Sequence, residues 1–120
     1  MFVYVKEFDS LWKSVGLGDS DLRDLEVFLC TQPDSGKIIQ NTGGLRKLRW
    51  ALPGKGKSGG IRILYVDFPF FEHLFLISII KKNEKENLSE KDKKIISNII
   101  GSIELNLRKN KEVIYDKNKR

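Results

Sequence analysis

Six cations lie between Arg46 and Arg62 with no acid among them: Arg46, Lys47, Arg49, Lys55, Lys57 and Arg62. Like charges at this density repel one another, so folding alone would not select the arrangement, whereas a polyanion would stabilise it. The chemistry such a set supports is phosphate binding and, on RNA, strand cleavage. A 2′-hydroxyl attacks the adjacent phosphorus, and the protein has to neutralise the developing phosphorane and protonate the leaving oxygen. Crowded cations also lower one another's pKa, which lets a lysine act as acid or base in a chain with one histidine. The plainer reading is a solvated strand edge whose lysines discourage sheet-to-sheet association. Charge this dense, without one interspersed acid, favours phosphate.

Other chemical sets are thin. His73 stands beside Glu72 at the start of an apolar run and reads as a structural histidine. No Cys/His spacing suits a metal, and no cofactor motif is present. GKGKSGG, residues 54–60, resembles a phosphate-binding loop only superficially. Gly54 is three residues before Lys57, which breaks the G-x-x-x-x-G-K-[ST] spacing, and the segment leads into a strand instead of a helix. Ser58 has no recognisable base.

The chain has 120 residues, the size of one domain with a modest core. With 40% hydrophobic and 32% charged residues it falls among soluble globular proteins. A net charge of +6 calls for an acidic or polyanionic partner: nucleic acid first, an acidic protein second. A membrane partner is not expected, because no basic amphipathic helix or lipidation motif accompanies the charge. No apolar run approaches the ~18 residues of a membrane helix, and no signal peptide is visible, so the expected compartment is the cytoplasm. The single cysteine, Cys30 in VFLC, excludes an internal disulfide and reads as a small core residue.

The elements that must position the cations follow from periodicity. FVYV, residues 2–5, predicts a short opening strand. Phe8, Leu11, Trp12 and Val15 mark one face of a helix ended by Gly16 and Gly18. Asp19 and Ser20 are N-cap candidates for a second helix with the apolar face Leu22, Leu25, Phe28 and Leu29, closed by Pro33 and Gly36. Residues 37–40 predict a short strand. LRKLRW and IRILYV predict two strands flanking the glycine-rich basic segment. Residues 71–80, around LFLISII, predict a strand covered on both faces. Ser89 and Asp92 form a capping box for a last helix with the stripe Ile95, Ile96, Ile99, Ile100, Ile103 and Leu107. The predicted architecture is α+β: a small, twisted, mostly antiparallel sheet with an N-terminal helical hairpin on one face and a C-terminal helix. Residues 1–109 form the domain and residues 110–120 a basic, fraying tail. Along residues 45–50, Lys47 and Arg49 share one side, Leu48 and Trp50 the other. The face away from the helical hairpin is therefore expected to be concave and basic.

GGLRKLRWALPGKGKSGGIRILYV followed by ISIIKKNEKENLS resembles the RelE/ParE toxin superfamily, most closely its HigB-like branch. There GLRK-[LI]-R, a GKGK-x-GG-x-R loop and strand, and YxKNE before a Leu-Ser or Leu-Asn helix start recur together. The resemblance spans about residues 20–105. It implies a type II toxin: a metal-independent, ribosome-dependent endoribonuclease that cuts translated mRNA in the decoding site. It also implies a cognate antitoxin, in this branch a helix-turn-helix, HigA-like protein. By position the resemblance assigns catalysis to Lys47, Arg49, Arg62 and Lys82, and RNA contact to Arg46, Lys55, Lys57, Lys81, Asn83 and Tyr65. RelE-type toxins carry a tyrosine after the last strand, where this chain reads NEKENLS; Tyr65 and Tyr115 are the candidates to stand in. Some HigB-type toxins place a histidine in the basic loop, and this one has none. The alternatives of the same fold are a non-catalytic, ParE-like poison of DNA gyrase and an RNA-binding module. Convergence of Lys47, Arg49, Arg62 and Lys82 on one face would favour the enzyme.

Overall fold

The computed structural model describes residues 1–52, 60–81 and 88–118, with side chains up to residue 110. The order along the chain is β1 (Phe2–Tyr4), α1 (Lys6–Ser14), α2 (Asp19–Thr31), β2 (Lys37–Ile38), β3 (Arg46–Trp50), β4 (Ile61–Phe68), a 3-10 turn (Pro69–Phe71), β5 (His73–Ile80) and α3 (Glu90–Asn118). Five strands form one sheet in the order β1-β5-β4-β3-β2. Only β1 runs parallel to its neighbour; the other pairings are antiparallel. This is the expected α+β architecture.

Both helices of the N-terminal pair lie on one sheet face because their apolar spacing matches it. Phe8 and Trp12 from α1 and Leu25 and Leu29 from α2 join Leu48, Ile61, Ile63, Tyr65, Leu74, Leu76 and Ile79 in one buried cluster. Truncating such a residue, Phe8→Ala for instance, costs about 3–5 kcal/mol. The turn between the helices is pinned by the Trp12 indole, whose Nε1–H donates to the Gly18 carbonyl at 3.0 Å. Gly16 supplies the left-handed step at φ +83° that ends α1. The N-cap of α2 is Gly18 instead of Asp19 or Ser20, and the Asp21 carboxylate accepts its N–H at 2.9 Å.

The opposite face is divided. At one end α3 lays Ile96, Ile100, Ile103 and Leu107 over Ile39, Leu45, Val66, Phe68, Phe75 and Ile77. The capping box forms as expected: Asp92 N–H donates to Ser89 Oγ at 3.1 Å and Ser89 N–H to the Asp92 carboxylate at 3.2 Å. Two residues of the expected stripe, Ile95 and Ile99, are turned to solvent instead, since the sheet meets a narrower arc of the helix than the six positions spanned. The helix also runs on to Asn118, through the segment read as a tail. The concave, basic face expected for the whole sheet is thus basic only where α3 leaves it open. Cys30 is likewise corrected: it is exposed, because α2 turns Leu25 and Leu29 inward and the next residue out.

Candidate nucleic-acid interface

Strand pairing decides which cations meet. In the β3–β4 ladder Arg49 lies directly opposite Arg62 and Lys47 opposite Leu64. Directly opposed residues project to the same side, and that side is the one α3 covers further along. Leu48 and Trp50, one step out of phase, sit in the helical core. The alternation seen in the sequence is realised: Lys47, Arg49 and Arg62 share one face. Arg49 is exposed, and Lys47 and Arg62 are half-buried. The rung continues onto β5, where Arg62 opposes Ile80; Lys81 lies one residue past the end of that strand, half-buried, and is not on the rung. Lys55, Lys57, Lys82 and Asn83 lie outside the described residues, as does the side chain of Tyr115.

The arginine pair is costly to the fold. Like charges directly across a ladder destabilise it, and neither Arg49 nor Arg62 takes an ion pair among the described residues. The ion pairs present there, Lys13–Asp9, Lys93–Glu90 and Arg108–Glu104, are all within helices.

Two of the expected RNA contacts are corrected. Tyr65 is fully buried among the residues under α1 and α2. Its hydroxyl donates to the Pro33 carbonyl at 2.8 Å and accepts the Gly36 N–H at 2.9 Å, so neither ring nor hydroxyl is open to a base. Burial pushes the phenol pKa up, against smaller lowering by the Gly36 hydrogen bond and Arg46. Arg46 is opposite Tyr65 in the ladder and shares that face. Its guanidinium donates to the carbonyls of Gly36 at 2.7 Å and Asp34 at 3.1 Å. Burial raises the pKa of nearby Asp67, and Arg46 partly offsets it. Arg46 and Tyr65 are a clamp on residues 33–36, not part of the cationic face.

The structure adds a cation that the sequence analysis passed over. Lys37 on β2 lies directly opposite Lys47 and is exposed. The signal in the sequence was parity: in KIIQ, residues 37 and 39 share a side, and Ile39 is buried under α3. Without the register to Lys47, that parity had no reference.

One family model fits the chain across nearly its full length. The model of the RelE toxin of the RelE/RelB toxin–antitoxin system matches residues 4–117. The chain belongs to the RelE toxin family. Lys47, Arg49, Arg62 and Lys81 fall inside the matched region, as does α3 up to residue 117. No helix among the described residues is long and apolar enough to cross a membrane.

Proposed function

We propose that this RelE-family chain is a ribosome-dependent endoribonuclease of the HigB-like branch, cutting translated mRNA in the decoding site and so halting translation. The observation that carries the reading is the Arg49–Arg62 rung with Lys47 beside it, on the part of the sheet that α3 leaves uncovered. A ladder position that folding disfavours is best explained by a ligand that neutralises it.

In the proposed reaction the 2′-oxygen forms a bond to the adjacent phosphorus and the 5′-oxygen leaves with a proton, giving a 2′,3′-cyclic phosphate and a 5′-hydroxyl. Arg49 and Arg62 hold the non-bridging oxygens as negative charge grows on them, and a guanidinium suits this because its fork donates two parallel hydrogen bonds. Lys47 takes the 2′-hydroxyl proton as the new bond forms and delivers it to the leaving 5′-oxygen, so the proton count closes; Lys82 is a further proposed catalytic residue from its place in the sequence alone. The chain's own cations supply the charge stabilisation, so the reaction draws on no metal or cofactor. Family membership implies a cognate antitoxin, which we take to be a HigA-like protein; mRNA and the ribosome are the other partners, in the cytoplasm.

Primer extension on mRNA from cells expressing the chain tests this, beside an Arg62→Ala control. Cuts within translated codons, lost in the control, are expected. Removing one donor of this kind is worth roughly 3 kcal/mol of transition-state stabilisation, about 100-fold in rate, while antitoxin binding and folding persist. An equally toxic Arg62→Ala chain would remove Arg62 from the site. Growth arrest with DNA damage and no cuts would move the function to gyrase poisoning.

A further inference from the structure

We propose that Lys37 is a phosphate-binding residue of this interface, holding the phosphate next to the one held by Arg49 and Arg62; the proposal rests on the nuclease reading above. Three observations carry it. The β2–β3 register sets Lys37 directly opposite Lys47, so both side chains leave the same sheet face. Along β3, the Lys37–Lys47 rung is two residues from the Arg49–Arg62 rung, about 6.8 Å at the rise of an antiparallel strand. Two cationic rungs at that spacing suit successive phosphates of one strand, and the path they define crosses the sheet from β4 to the β2 edge.

The third observation is that Lys37 is held in place. A two-residue edge strand would ordinarily fray, but the residues just before it are fastened from the opposite face. Tyr65 and Arg46 together take hydrogen bonds with Pro33, Asp34 and Gly36. Gly36 is buried so tightly that a Cβ there would come within 2.8 Å of the Tyr65 ring. On the other side Ile39 N–H donates to the Leu45 carbonyl at 2.8 Å, and Ile39 is buried beneath α3. Lys37 is thus a solvent-facing cation whose backbone lies between two fixed points, so binding a ligand has only its side chain left to order.

The test is the affinity of the full-length chain for a short single-stranded RNA, 2′-O-methylated so that it cannot be cut, measured over a range of salt. Lys37→Gln should weaken binding about three- to tenfold and lower the magnitude of the log–log salt slope by about 0.7, the value for one phosphate contact on a single strand. Lys37→Arg should restore both. Arg23→Gln, which removes one charge from exposed α2 on the opposite layer, should leave the slope unchanged. Wild-type slope and affinity in Lys37→Gln would overturn the proposal, as would an equal loss in Arg23→Gln, which would reduce the effect to net charge. If Arg49→Gln lowers the slope and Lys37→Gln does not, only the Lys37 assignment falls. If the wild-type chain shows no salt-dependent binding at all, the nuclease reading falls with it.

Discussion

Arg49 and Arg62 face each other across a ladder at a cost to folding, and that cost sets a trade-off that can be measured. A like-charge pair in this position destabilises the sheet by about 0.2–1 kcal/mol relative to a neutral pair. Arg49→Thr puts a good strand former on the same face and should therefore leave the chain as stable as wild type or more so, read as an equal or higher denaturation midpoint. Its cutting of mRNA should fall by about 100-fold or more. A less stable and still active Arg49→Thr chain would mean that the arginine serves the fold. At this scale the sequence was informative where alternation alone decides direction, as for Lys47, Arg49 and their apolar neighbours Leu48 and Trp50. Direction was legible for Arg46 and Tyr65 as well, since alternation puts them with Leu48 and Ile63 and away from Arg49 and Arg62. What the sequence did not show is their role on that side, because the Pro33, Asp34 and Gly36 groups they hold are brought there by the fold.

Elements locate the site through which apolar residues they must bury. The helical pair takes one sheet face whole, and α3 takes part of the other, which confines the cations to the remainder. The helices themselves were legible, since a 3.6-residue stripe and a capping box are local signals. How much of the α3 stripe the sheet would cover was not, because that depends on its width at the docking point. Ile95 and Ile99 stayed outside for that reason. The linker clamp gives this scale its own prediction. Tyr65→Phe keeps the ring but strands the buried Gly36 N–H and the Pro33 carbonyl, at a cost of about 1–3 kcal/mol. Stability should drop by that amount in a thermal or chemical melt. RNA affinity should drop with it, through Lys37 and Lys47, more than in Thr31→Ala, an exposed change at the last residue of α2 that leaves the clamp intact. Equal affinities in a folded Tyr65→Phe chain would show that residues 33–36 do not govern the β2 edge.

Over the whole molecule the charge is segregated along the direction that separates helices from cations. Residues 1–35 hold seven acids against three bases, and the described side chains after them hold five acids against eleven bases. The first group includes the helical pair and the second includes the ladder, so among the described residues the charge forms a dipole pointing from α1 and α2 through the sheet. Such a dipole turns the cationic face toward a polyanion during encounter and keeps the helical face away from it. Net charge was readable from composition, but the dipole needed the layers, because it exists only once the N-terminal third is stacked on one side. Charge reversal on the helical layer separates the two quantities. Asp24 is exposed on α2, and Asp24→Lys raises the net charge by two without touching a residue of the ladder. If orientation matters, the variant should bind single-stranded RNA at least as tightly as wild type at low salt and yet cut translated mRNA no faster, since the added affinity comes from encounters on the wrong face. If cutting rose in proportion to affinity, charge alone and not its placement would set the activity, and the segregation would have no part in docking.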